Sequence, residues 1–140
     1  MIVVRSLGPS IMSDNRFSNL RIVVVEDHDD TRRFLGVFLG RLGANVVLAK
    51  NALEGVEAVK TSRPNLVLCD IKMPGRDGFE VLSEIRAIGP AAGGSLPVIA
   101  MSALVTHASA RMLGFNACLA KPFTPGKLVE AILTDGSSLD

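Results

Sequence analysis

The feature that most constrains this chain is a repeated switch in the period of its apolar residues. Residues 21–27, RIVVVED, form a continuous β-branched run too short for a helix, as expected of a strand covered on both faces. Phe34, Leu35, Phe38, Leu39 and Leu42 then recur at helical spacing, with Asp29 and Asp30 as expected caps and Gly43 as the stop. The alternation continues through a strand at 45–49, a helix at 53–60, a strand at 65–70 and a helix at 78–88. A Gly/Pro/Ser loop at 89–95 leads to a strand at 97–101, a short helix at 106–113, a strand at 118–120 and a helix at 125–133. Five strands alternating with five helices predict an α/β fold, a doubly wound five-stranded parallel sheet with helices on both faces.

With 140 residues and 48% hydrophobic content, the chain has material for one core. The expected organisation is an N-terminal extension over 1–20, mobile or loosely docked, a domain over 21–135 and a short tail over 136–140. The 15 basic and 14 acidic side chains nearly cancel and the basic ones are scattered, so no nucleic-acid contact is expected. Cys69 and Cys118 lie inside short apolar runs and read as buried small hydrophobes, which fits a reducing compartment. Arg5, Gly8 and Pro9 interrupt the first apolar residues, so neither a signal peptide nor a membrane contact is expected, and the location follows as cytoplasmic. His28 and His107 have no second His or Cys at ligand spacing and are expected at the surface.

In a doubly wound sheet, function collects at the carboxyl ends of the strands. The predicted strands end in Glu26 and Asp27, in Asp70, in Ser102 and in Lys121 with Pro122. Three carboxylates, a hydroxyl and an ammonium therefore converge on one rim from about two-thirds of the chain. Two like charges about 4 Å apart repel by about 4 kcal/mol at an effective dielectric near 20, so these acids must hold either protons or a cation. Oxygen ligands without His or Cys favour a hard ion, and Mg²⁺ uses one or two carboxylates plus phosphate oxygens. That coordination suits phosphoryl transfer, with Asp70 as candidate nucleophile, Lys121 as counter-charge and Ser102 as a donor to a phosphoryl oxygen.

The segments VVVEDHD, LVLCDIKMPGRDGFEVL, VIAMSA and LAKPF, in this order, resemble the acid-pair, phosphoacceptor, switch-hydroxyl and lysine-proline motifs of response-regulator receiver domains. The likeness runs from about Arg21 to Leu133, and the string D-x-K-M-P-G-x-D-G is its most specific part. It implies a flavodoxin-like receiver fold. It also implies that Glu26 and Asp27 are the metal-holding acids, Asp27 the more direct, that Asp70 is the phosphorylated side chain, and that the backbone carbonyl of Lys72 is a metal ligand. Ser102 is then the switch hydroxyl and Lys121 the phosphate-pairing ammonium. The implied cofactor is Mg²⁺, with Mn²⁺ as a substitute, and the implied phosphodonor is a sensor histidine kinase or a histidine phosphotransfer protein. Such a domain catalyses its own phosphorylation and dephosphorylation and is not otherwise an enzyme.

Two departures bear on output. Cys118 stands three residues before Lys121, where the family commonly has an aromatic toggle, and the interval from Ser102 to Lys121 is about three residues short, roughly one helical turn. Only seven residues follow Leu133, so output is expected through an unidentified partner protein, either from a free-standing receiver or from one excised from a hybrid kinase. A pseudo-receiver acting as a binding module is opposed by the intact set of five side chains. A hydrolase of the haloacid-dehalogenase type would need an acid two residues after the nucleophile, where this chain has Lys72. Lys72 and Leu104, each two positions beyond a site residue, flank the expected approach of water, and Leu104 has no group to orient one. A slow loss of phosphate is expected, unless the short helix draws Leu104 into the core.

Overall fold

The computed structural model describes residues 1–4 and 15–135. The elements are β1 (Ile2–Val4), β2 (Arg21–Val25), α1 (Asp29–Arg41), β3 (Asn45–Ala49), α2 (Ala52–Ser62) and β4 (Leu66–Asp70). They continue with α3 (Gly78–Ala87), β5 (Val98–Ser102), α4 (His107–Met112), β6 (Ala117–Ala120) and α5 (Pro125–Asp135). The sheet order is β1-β3-β2-β4-β5-β6, and β2 to β6 are parallel, as the five apolar runs predict.

Alternate residues of each central strand feed separate cores. Val23 and Val25 of β2 pack with Val56 and Val59 of α2, Val81 and Ile85 of α3 and Ala110 of α4. Ile22 and Val24 pack on the other face with Leu35 and Leu39 of α1 and Leu128 and Ile132 of α5. Burial on both faces is why these strands read as unbroken apolar runs rather than as alternating ones.

Two sequence expectations need correction. Residues 1–20 do not all lie apart from the domain: Ile2–Val4 pairs antiparallel with β3, and Phe17, 1% exposed, fills the α1 side of the core. A three-residue strand and a single aromatic carry no period, so neither is visible until the edge of β3 and the end of α1 are in place. Residues 5–14 of the expected extension and the tail at 136–140 lie outside the described residues. The second correction is the cap of α1, which is His28 rather than Asp29 or Asp30: its Nδ1 accepts from the Thr31 amide at 3.3 Å. Both aspartates sit in the first turn, where they complement the helix dipole.

Cys69 is fully buried, whereas Cys118 is only half-buried and its thiol donates to the Val105 carbonyl at 3.3 Å. His28 and His107 are exposed, as expected. Among the described residues, no helix is long and apolar enough to cross a membrane.

Candidate functional site

The strand ends deliver the expected residues to one rim. Among the described residues, the buried polar side chains are Glu26, Asp70 and Ser102, at 0%, 6% and 7% exposure. Burying three such groups is costly without compensation, so their presence together at the ends of β2, β4 and β5 marks a built site rather than a core accident. Lys121, immediately after β6, is held to the end of β5 by its amide, which donates to the Ser102 carbonyl at 2.9 Å. Its Nζ lies 2.7 Å from Glu26 Oε1 and 3.4 Å from Asp70 Oδ1. One carboxylate oxygen each from Glu26, Asp27 and Asp70 lies within 4.8 Å of the others, with Asp27 the least buried of the three.

The charges settle in a definite way. Burial, then the adjacent Glu26 carboxylate, push Asp70 up to about 7, against the incomplete pull of Lys121. Burial also pushes Glu26 upward, but hydrogen bonds from Asp70 and Lys121 and the ammonium charge outweigh it, so Glu26 ends below its ordinary value. Of the two acids, Asp70 is therefore the one that keeps a proton to the higher pH. Burial works against the charge on Lys121, yet its two carboxylate partners raise its pKa overall.

The loop after β4 is shaped by Gly78. A Cβ there would meet the Asp70 carbonyl oxygen at 2.6 Å, so only glycine lets α3 start this close to the end of the strand. The Gly78 amide donates to the Ile71 carbonyl at 2.8 Å, while Asp77 caps α3 by accepting from the Glu80 amide at 3.0 Å. Ile71 and Met73 are buried between these ties, and exposed Lys72 faces a recess of about 330 Å³ with Asp70, Ser102, Ala103, Leu104 and Lys121.

Ser102 Oγ accepts from the amides of Leu104 at 3.0 Å and Val105 at 3.1 Å. Its oxygen is thus fixed, and its hydroxyl proton remains free to be given to a ligand. Leu104 is 79% exposed at the mouth of the recess, so the short α4 does not draw it into the core. On the other side of Lys121 an apolar groove of about 490 Å³ is lined by Thr31, Phe34, Pro122 and Phe123 among others. The sequence offered no role for Arg32, whose guanidinium binds the Glu26 and Asp27 carbonyls, because main-chain acceptors leave no trace in a residue string.

The family model of the response regulator receiver domain matches residues 22–133. This chain belongs to that family. The receiver is 35% identical over 118 residues to an uncharacterised 14.6 kDa protein in the sodA1 3' region of Leptolyngbya boryana, covering 82% of this chain and 88% of that one. It is 34% identical over 116 residues to the sensor histidine kinase RcsC of Escherichia coli, covering 81% of this chain but only 12% of the kinase. Among solved structures, the receiver domain of the sensor histidine kinase PA1611 from Pseudomonas aeruginosa superposes with a TM-score of 0.75. It shares 27% identity, over 86% of this chain and 99% of that one, and was solved with magnesium coordinated in its active-site cleft.

Proposed function

We propose that this receiver accepts a phosphoryl group on Asp70 from a phosphohistidine donor in a step that requires Mg²⁺. The observation that carries the reading is the burial of Asp70 and Glu26 against Lys121, with Asp27 completing a group of three acids within one ion's reach. The all-oxygen donor set fits a hard cation: Asp27 and Asp70 would hold Mg²⁺ or Mn²⁺ directly, with the Lys72 carbonyl and the Glu26 carboxylate supporting them. When bound, the ion supplies charge neutralisation to the transferring phosphoryl oxygens.

The residues divide the remaining work. Asp70 must lose its proton to become a nucleophile, and a cation among the three acids favours the ionised form. An Asp70 carboxylate oxygen then forms the new O–P bond as the P–N bond of phosphohistidine breaks, its electron pair staying on the imidazole nitrogen. Lys121 pairs with one phosphoryl oxygen and the Ser102 hydroxyl donates to another. The donor, a sensor histidine kinase or a histidine phosphotransfer protein, must cover the rim to bring phosphorus in line, and the apolar groove at Phe34, Pro122 and Phe123 is the surface there suited to burial. Asp70 is converted rather than regenerated in this step, which makes the domain a signalling phosphoacceptor with output through a partner protein. We place the reaction in the cytoplasm.

Intact mass after incubation with acetyl phosphate tests the proposal. One added phosphoryl group is expected with Mg²⁺ present and none after chelation. Labelling that ignores chelation, or that maps to a residue other than Asp70, overturns it.

The lifetime of the product gives a second expectation. Leu104 presents only hydrocarbon at the recess, so water approaching phosphorus is not oriented from that side. Leu104→Asn should shorten the phosphoprotein lifetime several-fold while leaving Mg²⁺ affinity unchanged. Because Leu104 is largely exposed, the thermal midpoint should stay within what a surface substitution costs, about 0.5 kcal/mol. Paired dephosphorylation and melting curves check it; a lowered midpoint with an unaltered rate would assign Leu104 to packing instead.

A further inference from the structure

We propose that Arg32 is a positioning residue for the cation, a clamp that aims the Glu26 and Asp27 carboxylates by holding their main-chain carbonyls. The inference rests on the Mg²⁺ reading above. Glu26 and Asp27 lie between the end of β2 and the His28 cap of α1; the Glu26 amide still donates to the Ala49 carbonyl of β3 at 3.0 Å, and it is the two carbonyls that Arg32 holds. Arg32 reaches back from the first turns of α1: Nη1 donates to the Glu26 carbonyl at 3.0 Å and to the Asp27 carbonyl at 3.3 Å. Nη2 pairs with Asp29 Oδ1 at 2.5 Å. The Arg32 side chain is 14% exposed and that of Asp29 76%, so one edge of the fork is packed on the loop and the other is tied to a surface carboxylate.

Each contact has a use. No hydrogen bond among the described residues holds the Asp27 carboxylate, so its direction is set by its own backbone, and that backbone is what Arg32 holds. The planar guanidinium grips two carbonyls and a carboxylate at once, which a single ammonium on a flexible stem does not reproduce. A bare cation this near the acids would also repel Mg²⁺. Asp29 answers that by neutralising the guanidinium, leaving rigidity without an added positive field. Groups that orient metal ligands from behind commonly change affinity about 10–100-fold when removed.

Charge and geometry predict opposite signs, so the test is decisive. Removing a positive charge beside a cation site tightens binding by Coulomb's law, whereas removing a clamp weakens it. Mg²⁺ alone is titrated calorimetrically into the full chain, with thermal midpoints measured in parallel. Arg32→Met should bind about tenfold more weakly, at the lower end of that range. Arg32→Lys, which keeps the charge, should also bind several-fold more weakly, and it carries the test if the Met variant does not fold. Asp29→Asn, which unmasks the guanidinium charge, should weaken binding by a smaller factor that vanishes at high salt. Unchanged or tighter Mg²⁺ binding by folded Arg32→Met or Arg32→Lys overturns the clamp, whatever happens to the midpoint. Asp27→Ala separates the two ideas: if it too binds Mg²⁺ as the parent does, the metal reading itself falls, and if it alone is weakened, only the clamp does.

Discussion

Asp70→Asn is expected to be inert to acetyl phosphate and Mg²⁺ and, at neutral pH without metal, more stable than the parent. The first effect follows from losing the proposed nucleophile, the second from proton linkage. Asp70 rises from its ordinary 3.8 to about 7 in the folded chain because of burial first and the Glu26 carboxylate second. A carboxyl with a raised folded pKa favours the fold below its unfolded pKa, and that advantage is lost as pH rises through the folded value. The parent should therefore lose stability between about pH 4 and pH 7, where an asparagine does not titrate. Glu26 shares the proton and takes up part of the penalty, so the variant should gain about 2 kcal/mol near pH 8 and about nothing near pH 4. Mg²⁺ should stabilise the parent and have little effect on the variant. Urea midpoints at both pH values, with and without Mg²⁺, check this; a pH-independent difference would show that Asp70 does not carry the buried proton.

Lys121→Ala should act in the opposite direction and more strongly. The ammonium lies between two acids whose side chains are 1% and 8% exposed, and removal leaves them with no positive partner, only the proton they can share. Breaking a buried ion pair by deleting one partner costs about 3–5 kcal/mol, a large share of the stability of a domain this size. Lys121 has a raised pKa, so its contribution is present throughout the neutral range and is lost only as pH rises through the folded value, above the ordinary lysine range. In the variant the two acids should take up a proton more readily, so the deficit shrinks on acidification. Mg²⁺ should also restore much of the loss by replacing the missing positive charge. Thermal midpoints at about pH 5 and pH 7.5, with a Mg²⁺ titration at the higher pH, test both forms of rescue. A deficit that neither acid nor Mg²⁺ relieves would make Lys121 a packing residue.

How much of this was legible in the residues depends on the range of the interaction involved. The five parallel strands and five helices were legible because burying both faces of a strand, or one stripe of a helix, leaves periods of continuous, 2.0 and 3.6 residues in the string itself. Glu26, Asp27, Asp70, Ser102 and Lys121 were legible as a group because a parallel sheet sends every strand end to the same rim. The segment carrying Asp70 added specificity, since its Pro and two Gly residues restrict the loop wherever it occurs. Cys118, expected to be buried, was misplaced because a half-covered position on β6 looks like a covered one in a short apolar run.

The sequence by itself thus determined the sheet, the rim and the chemical identity of what stands there. The tertiary structure alone decided that Ile2–Val4 extends the sheet, that Phe17 completes a core, that His28 rather than an aspartate caps α1, and that Leu104 stays at the mouth of the recess. It alone decided that burial and the neighbouring carboxylate raise Asp70 while Glu26 is lowered, and that Arg32 holds the carbonyls beside them. The physical reason is common to all of these. Periodicity is a local property of the chain, whereas desolvation, Coulomb energy and hydrogen bonding depend on ångström separations between residues distant in sequence, and those separations exist only after the chain has packed.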